Sequence, residues 1–389
     1  MINSVLINKQ LASKSSISIM RSLLVTCLVV LSFSLQAQPK QPFKVETLVT
    51  GLDTPWSLAM LPDGRMLITE RSGSLRIVEK DNKLNPQAVD GLPEIVEDGQ
   101  GGLLDVILHP NYIENGWIYI SYSAPGADGF FDKSGTTVIR AKLQGNKLVE
   151  VEELYSMKEK TTSGRHFGSR LVFDESNYLY ITVGDRGDRP SSQDKSRSNG
   201  SVLRLNDDGS IPKDNPFVNE ENAHPAIYSY GHRNPQGMAI NPKTKEIWTH
   251  EHGPQGGDEI NIVKKGVNYG WPVITYGANY GLGTKIGEGT EKAGMQQPIH
   301  QWTPSIAPSG MAFYNGDKFK DWKGNLLVGA LKYQMLVRIE LDGNKVVKQH
   351  ELLKEELGRI RDVRVGRDGF VYLLTDSGNG RLVRLVPNH

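Results

Sequence analysis

One phrase occurs six times along this chain: a short polar turn, usually with Gly or Asn, followed by four to six residues that favour β-strands. The six copies are residues 63–69, 115–121, 177–182, 245–249, 324–329 and 368–375. Companion strand-like segments lie at 73–78, 137–141, 201–205, 336–339 and 381–385. Long amphipathic helix patterns are nearly absent. The repeats predict an all-β chain, a six-bladed β-propeller with one four-stranded antiparallel sheet per blade. A two-sheet sandwich is the alternative, which the number of repeats disfavours.

The spacing of the repeats also predicts how the propeller closes and where its loops gather. Propellers close when the two ends of the chain contribute strands to one blade, and the early segment 43–49 fits that role. The long gaps at 184–200, 206–226 and 270–310 are rich in Gly, polar and aromatic residues. Such inserts collect around the mouth of the central channel, where we expect the functional site.

The first 37 residues have the pattern of a secretory signal peptide. An apolar run at 23–35 follows a basic residue and precedes Ala37, after which we expect cleavage. The run is too short to span a membrane comfortably, and a retained anchor helix is the alternative. Residues 38–389 would then form a single propeller domain in the periplasm, with no membrane span. The only cysteine, Cys27, lies in the removed segment, so the core alone must hold the exported protein together.

The charge of the chain argues against a nucleic-acid partner. There are 45 Lys and Arg residues against 44 Asp and Glu residues, and no basic stripe is interleaved with aromatic residues. Proteins that bind nucleic acid usually show such a stripe. We therefore expect no nucleic acid among the partners.

Two polar loops flank a strand-like segment in the second half of the chain. Residues 231–237 and 250–259 are rich in Gly, Pro, charged and amide side chains, and residues 238–248 between them have a strand pattern. Folding a loop does not require so many charged and amide groups. Loops of this kind on a rigid scaffold commonly carry binding and chemistry.

His166 is a candidate general base. It lies in a Gly-flanked loop before the strand-like segment 171–173, and the pKa of a histidine lies near the working pH of most enzymes. Asp185, at the end of the next strand, could accept a hydrogen bond from one ring nitrogen and fix the tautomer. A solvated loop histidine without a catalytic role is the alternative.

The segment His250-Glu251-His252 and the residues after it raise the question of a metal. On a strand the two histidines would share one face, but zinc requires a third protein ligand and none is obvious nearby. Residues 253–259 offer carbonyl and carboxylate oxygens, the hard donors that Ca²⁺ prefers. Calcium is therefore the favoured metal, with a merely solvated acidic loop as the alternative.

Four basic residues lie directly beside predicted strands: Arg233, Lys332, Arg359 and Arg361. In the Arg-x-Arg pair the two guanidinium groups point to one side of an extended chain. If these loops share one channel mouth, the converging cations imply an anionic ligand with several carboxylates or phosphates. Four separate surface ion pairs are the alternative.

These motifs occur in an order that is typical of one protein family. They are DGQGGLL at 98–104, RHFG at 165–168, GD at 184–185, GHRNPQG at 231–237, HGP at 252–254, DEIN at 258–261, NYGWP at 268–272, WTPSIAPS at 302–309, LK at 331–332 and RIRD at 359–362. Together they resemble the soluble quinoprotein sugar dehydrogenases of the glucose/sorbosone dehydrogenase family, which use pyrroloquinoline quinone (PQQ) and calcium. The resemblance extends from Thr50 to the end and implies a six-bladed propeller.

The resemblance also implies roles for individual residues. His166 would be the base, Asp185 the residue that orients it, and Arg233 the cation that stabilises a developing negative oxygen. The quinone-binding positions would be Gln100, His166, Arg233, Asn234, His252, Tyr280, Ser305, Lys332, Arg359 and Arg361.

Two calcium sites are implied in the same way. The carbonyls of Gly253 and Pro254 would bind the calcium that lies beside the quinone. Glu259 and Tyr269 would belong to a second, structural calcium site. The reaction implied is hydride transfer from C1 of an aldose to C5 of the quinone, which yields an aldonolactone and passes electrons to a separate acceptor.

The chain departs from the pattern of the family's glucose enzyme at several places. His252 stands where that enzyme has glutamine, Arg165 where it has aspartate, and Ser305 where it has threonine, and its long inserts are missing. These departures imply a broad aldose range and a monomer. Two other classes remain open: a calcium-dependent lactonase, which needs no ring of cations, and a non-catalytic propeller that binds carbohydrate or protein.

Overall fold

This computed structural model describes residues 41–126 and 133–388. Within these ranges, twenty-three strands form six antiparallel sheets. The sheets follow one another along the chain, and almost every strand pairs with its neighbour in sequence. The predicted all-β, six-bladed propeller is confirmed. The predicted signal peptide, residues 1–37, lies outside the described residues.

Each blade except the last is one continuous stretch of chain. The first half contains β1 (Phe43–Leu52), β2 (Pro55–Met60), β3 (Met66–Glu70), β4 (Ser74–Val78), β5 (Leu103–Leu108), β6 (Trp117–Pro125), β7 (Ser134–Gln144), β8 (Lys147–Ser156), β9 (Leu171–Phe173), β10 (Leu179–Val183), β11 (Ser201–Leu205) and β12 (Ile227–Tyr230). The second half contains β13 (Pro235–Ile240), β14 (Ile247–Glu251), β15 (Asp258–Val263), β16 (His300–Trp302), β17 (Pro308–Phe313), β18 (Leu326–Ala330), β19 (Met335–Asp342), β20 (Lys345–Leu352), β21 (Ile360–Val365), β22 (Val371–Thr375) and β23 (Gly380–Pro387). The blades are β2–β4, β5–β8, β9–β12, β13–β16, β17–β20 and β21–β23 with β1.

The helices are short and peripheral to this architecture. They are α1 (Tyr112–Asn115) and two 3₁₀ turns, Arg189–Gln193 and Lys320–Trp322. Over the described ranges, no helix has the length and apolar character needed to cross a membrane.

The first blade has three strands where the sequence predicts four. After β4 the chain makes a single bridge, between Val78 and Leu84, and Pro86 then interrupts the ladder because proline has no backbone N–H to donate. Asn85 still donates its N–H to the carbonyl of Ile77 at 2.8 Å. The outer position of this blade is therefore occupied by irregular chain.

The last blade joins the two ends of the propeller. β1 pairs antiparallel with β23, from Phe43 opposite Pro387 to Leu52 opposite Gly380. The prediction that residues 43–49 complete the last blade is confirmed. This pairing closes the ring of blades and satisfies the backbone groups that an open end would leave exposed.

The repeated phrase of the sequence forms the second strand of each blade. Every residue of β3, β10, β14, β18 and β22 is buried, because adjacent blades cover both faces of these strands. Between the first two blades, for example, Leu67 and Ile77 pack in one cluster with Ile118, Ile120 and Ile139. A strand that is buried on both faces reads as a continuous apolar run, which explains the regular signal in the sequence.

The first strand of each blade lines the centre, and a buried ion network joins several of them. Nη1 of Arg170, just before β9, lies 3.1 Å from Oδ1 of Asp105 on β5 and 3.0 Å from Oδ1 of Asp362 on β21. Arg364 on β21 lies 2.8 Å from Asp105 and 2.7 Å from Asp362. Ser57 on β2 donates its hydroxyl to Asp105 at 2.6 Å. Four blades therefore meet at two carboxylates in the centre of the ring.

We predict that Arg170→Met lowers the free energy of unfolding by about 3–5 kcal/mol, because one of two cations is lost and two buried carboxylates remain. Arg384→Met is the control, since it breaks an exposed pair with Glu46 at 2.7 Å and should cost about 1 kcal/mol or less. Chemical denaturation of both variants measures the difference. Equal losses in the two variants would contradict the central role of the network.

Candidate functional site

A cavity of ≈ 510 Å³ opens at the end of the channel where the first strands of the blades begin. Its lining residues are Thr54, Trp56, Arg71, Gly99, Gln100, Gln236, His252, Ala307, Leu331, Lys332, Arg359, Arg361, Asp376, Ser377 and Gly378. Five of the predicted site residues are among them: Gln100, His252, Lys332, Arg359 and Arg361. The structure thus brings residues from five blades to one mouth.

Irregular pairing at the strand starts shapes this mouth. The register shifts near the start of five first strands, at Pro55/Ser57, Leu103/Val106, Pro235/Gly237, Pro308/Met311 and Ile360/Asp362. An irregularity of this kind bends a strand and re-aims its side chains. Side chains such as Trp56, Gln236 and Arg361 consequently reach the cavity, while Ser57 and Asp362 reach the central network.

Positive charge exceeds negative charge at the cavity wall. Four cationic residues, Arg71, Lys332, Arg359 and Arg361, share the lining with one carboxylate, Asp376. Arg359 and Arg361 both pair with Asp376, at 2.7 Å and 3.1 Å. Burial raises the pKa of Asp376, but the two guanidinium charges outweigh it and hold the pKa below its usual value. Arg359 and Arg361 share one carboxylate, so they do not form the separate surface ion pairs of the alternative interpretation.

His166 and Asp185 form a buried pair beside the cavity. Nδ1 of His166 lies 2.6 Å from Oδ1 of Asp185, and the backbone N–H of His166 donates to Oε1 of Gln100 at 2.8 Å. Burial lowers the pKa of His166, which the bond to Asp185 offsets only in part. With Nδ1 donating to the carboxylate, Nε2 is the nitrogen that carries the free lone pair. The pair therefore has the arrangement of a neutral, oriented base.

The loop that carries His166 is held in an uncommon conformation. His166 itself has a positive φ of 57°. A Cβ on Gly184 would lie 2.0 Å from the carbonyl oxygen of His166, so only glycine fits there. The guanidinium of Arg186 donates to the carbonyls of Arg165 and Ser163 on the same loop. Gly184 and Arg186, which follow β10, thus hold the backbone of the loop that carries His166.

Arg233 lies next to this pair and is buried. Its Nη1 donates to the carbonyl of His252 at 2.9 Å, and its own carbonyl accepts the N–H of Asp185 at 2.8 Å. Burial lowers the pKa of Arg233, although Asp185 acts against this. Asn234 follows it, with an Nδ2 donor that is buried and has no acceptor among the described residues. Arg233 and Asn234 thus continue the polar wall behind His252.

Among the described residues, His250 and His252 do not belong to a group of side chains that could bind a metal ion. His252 places Nε2 2.6 Å from the carbonyl of Pro308. His250 is fully buried, and neither ring nitrogen makes a hydrogen bond of normal geometry to another described residue. A search of the described ranges finds no group of three or more His, Cys, Asp or Glu side chains suited to a metal.

A second, very small cavity of ≈ 10 Å³ lies between Arg233, Glu251, Glu259 and Tyr269. That volume is about one water-sized sphere. Burial and the neighbouring Glu251 carboxylate raise the pKa of Glu259 to about 8. Gly253 also lines this cavity. The two predicted residues of the structural calcium site, Glu259 and Tyr269, therefore do meet at one small space.

The loop after His252 is folded tightly around Asp258. Oδ1 of Asp258 accepts the N–H of Gly253 at 2.9 Å, and Oδ2 accepts the hydroxyl of Ser305 at 2.7 Å. A Cβ on Gly253 would lie 2.2 Å from the carbonyl oxygen of Gly256, so several carbonyls crowd this turn. Ser305 is thereby committed to Asp258 and lines neither cavity.

Six predicted residues line neither cavity: His166, Asp185 and Ser305, which are described above, and Pro254, Tyr280 and Asn234. Pro254 is buried under the insert, and a Cβ on Gly277 would approach its ring at 2.6 Å. Tyr280 is 68% exposed on the insert, and with Asp185 it opposes only in part the burial that lowers the pKa of Arg233. Asn234 is fully buried behind Arg233.

Sequence reasoning missed four residues of the site: Arg71, Gln236, Asp376 and Trp271. Arg71 and Asp376 directly follow β3 and β22, as His252 follows β14, and Asp185 lies two residues after β10. Position relative to the repeated strand was therefore an available signal. Gln236 and Trp271 lie inside the GHRNPQG and NYGWP motifs, but the neighbouring residues in the sequence do not indicate which side chains they contact.

Comparisons with known proteins agree with this architecture. The family model described as glucose / sorbosone dehydrogenase matches residues 52–384. The aldose sugar dehydrogenase YliI of Escherichia coli is 46% identical over 367 residues, which cover 93% of this chain and 97% of that protein. The crystal structure of the soluble aldose sugar dehydrogenase of Escherichia coli in the apo form has a TM-score of 0.86 and 45% identity, covering 89% of this chain and 100% of that one. The PQQ-bound aldose sugar dehydrogenase of Streptomyces coelicolor has a TM-score of 0.72 and 28% identity, covering 89% and 98%.

The buried ring of His250 makes a prediction for acid stability. Burial, then the charge of Arg170, lower the pKa of His250 to about 3. A histidine in the unfolded chain titrates near pH 6.5. Between about pH 6.5 and about 3 the unfolded state therefore binds one more proton than the folded state at this position. Full stability is present above that window and falls as the pH falls through it, by about 1.4 kcal/mol per pH unit.

His250→Leu removes this titration and should flatten the acid side of the stability profile. Urea denaturation at a series of pH values measures the slope for the native protein and the variant. Unchanged slopes in the variant would show that His250 does not contribute.

Proposed function

The chain belongs to the glucose/sorbosone dehydrogenase family, and from this premise we propose that it oxidises aldose sugars at C1 to aldonolactones with PQQ and Ca²⁺. Electrons would pass to an external acceptor. The observation that carries the proposal is the cavity wall with four cations and one carboxylate, because a ligand with several carboxylates complements it. A calcium-dependent lactonase would have no use for that surplus.

PQQ is a planar quinone with three carboxylates, and the cavity offers suitable partners for it. Lys332, Arg359 and Arg361 supply charge, and Gln100 supplies an amide at the wall. The Nε of Arg361 and the Nδ2 of Asn234 are buried donors without acceptors in the described part of the chain. A ligand oxygen at either donor would remove the cost of leaving it unpaired.

The remaining proposed quinone contacts lie at different places around the cavity. His166, Arg233 and His252 lie at or next to the wall. Tyr280 would reach the ligand from the insert, near Arg233. Ser305 already donates to Asp258, so its part would be to hold the loop at 253–258. The PQQ-bound relative from Streptomyces coelicolor supports the choice of cofactor.

Calcium would be held at two places near the cavity. The crowded carbonyls around Gly253 and Pro254 are hard oxygen donors, and Asp258 beneath them adds a carboxylate that braces the turn. At the small cavity, Glu251 and Glu259 face each other, and a cation would relieve their repulsion. Tyr269 would contribute to the second site, and its ring stacks on His232 at 4.5 Å, which fixes it.

The residues of this chain would divide the chemistry among them. PQQ would supply the hydride acceptor for sugar C1, and calcium would supply a Lewis acid beside it. Nε2 of His166 would take the proton of the C1 hydroxyl, since Asp185 holds the opposite nitrogen. Asp185 acts through His166 as a positioning residue. Arg233 would stabilise the oxygen that becomes negative, with its guanidinium held by the carbonyl of His252.

Reconstitution tests the proposal directly. We expect aldose-dependent dye reduction only when both PQQ and Ca²⁺ are added, with loss on chelation and recovery with Ca²⁺. An aldonolactone incubated under the same conditions tests for lactonase activity. Hydrolysis of that lactone without PQQ, or recovery of turnover with Zn²⁺ alone, would contradict the assignment.

His166→Asn tests the base. A positioned general base contributes about 10²–10⁴ in rate, so kcat should fall by about that factor while PQQ affinity changes little. Asp185→Asn should cause a smaller loss, because that residue acts through the ring. Turnover and quinone binding are measured on folded protein, and near-normal turnover of His166→Asn would end the catalytic interpretation. A larger loss for Asp185→Asn would reverse the two roles.

A further inference from the structure

Trp271 touches both parts of the proposed machinery. Its indole Nε1 donates a hydrogen bond to Oδ2 of Asp185 at 2.8 Å. The guanidinium carbon of Arg233 lies 5.5 Å from the centre of its ring. The side chain is buried and lines the small cavity together with Arg233. No other side chain in the described ranges donates a hydrogen bond to Oδ2 of Asp185.

The bond to Asp185 fixes the rotation of that carboxylate. Oδ1 accepts from Nδ1 of His166 and from the backbone N–H of Gly187 at 2.7 Å. Oδ2 accepts from the indole alone among the described residues. A carboxylate with donors on both oxygens cannot turn about its terminal bond without breaking one of them. Trp271 therefore helps to set the direction in which Asp185 presents Oδ1 to His166.

Trp271 is itself firmly held, which a positioning role requires. Its backbone N–H donates to the carbonyl of Gly231 at 2.8 Å. Its carbonyl accepts from Nε2 of Gln193 at 2.7 Å, and Gln193 also exchanges two hydrogen bonds with Asn268. Arg189 lies 5.5 Å from the ring centre. The backbone of Trp271 is thus anchored from both the 231–237 loop and the 3₁₀ turn.

We propose that Trp271 is a positioning residue that orients the Asp185–His166 pair through its N–H and steadies Arg233 through its ring. The inference rests on the proposed function for its catalytic meaning, since the base and the cation act in that reaction. Its structural part, the coupling of the indole to His166 through Asp185, concerns the protein alone. Simple filling of the core is the competing explanation.

Trp271→Phe separates the two explanations because it keeps the packed ring and removes only the N–H. Asp185 would then have one donor fewer, and its negative charge would be less dispersed. A less dispersed charge stabilises the protonated ring, so the pKa of His166 should rise by about one unit. The other charges that face the pair, on Arg165, Arg186 and Arg233, stay in place in the variant.

The experiment measures the pKa of His166 by NMR in the calcium-loaded protein without quinone, and kcat and KM after PQQ is added. We expect the rise in the pKa together with an about tenfold lower kcat and a nearly unchanged KM for the aldose. Trp302→Phe is the matched control. It loses an indole bond of similar length, 2.7 Å to Gln349 on β20, which involves neither Asp185 nor His166, and should change neither quantity.

Each outcome decides something. A Trp271→Phe protein with the native pKa of His166 and native kcat would overturn the proposal. If the native protein shows no PQQ-dependent turnover, the proposed function fails, while the NMR comparison still decides whether Trp271 couples to His166. If the variant does not fold, the indole N–H resonance of the native protein replaces it: a shift that follows the titration of His166 supports the coupling, and a constant resonance overturns it.

Discussion

The site depends on a buried arrangement of two arginines and two aspartates at the centre of the ring. Arg170 reaches Asp105 and Asp362 from a third blade, so these first strands cannot slide past one another without separating charges in a dry interior. The cavity at the channel mouth lies at the N-terminal ends of the same strands. Fixing the strands at the centre therefore fixes the distances between residues that the chain supplies from five blades.

Much of the fold could be predicted because burial on both faces leaves a strong pattern. The second strand of each blade is rich in apolar and β-branched residues because it is buried on both faces, and its six copies predicted both the fold class and the blade number. The missing fourth strand of the first blade depended on a proline and on irregular bonds, such as Asn85 to Ile77, which no periodicity encodes. Closure by β1 was predictable because a ring must join its ends.

The candidate site was predictable where chemistry and strand position coincided. Asp185 lies two residues after the repeated strand β10, so its meeting with His166 followed from the propeller itself. The sharing of Asp376 by Arg359 and Arg361, and the commitment of Ser305 to Asp258, were not predictable. They depend on side-chain directions across blades, which the irregular strand starts determine and the sequence does not display.

The closure of the last blade has a kinetic consequence. Glu46 on β1 and Arg384 on β23, which pair across it, are 338 residues apart in the chain. Loop entropy grows slowly with length, so this separation costs little at equilibrium, but contacts so remote in sequence form late and slow the approach to the native state. Until they form, β1 and the strands of its blade present free edges that a second copy could pair with. The step that completes the propeller is thus also the one at which aggregation or strand exchange competes with folding.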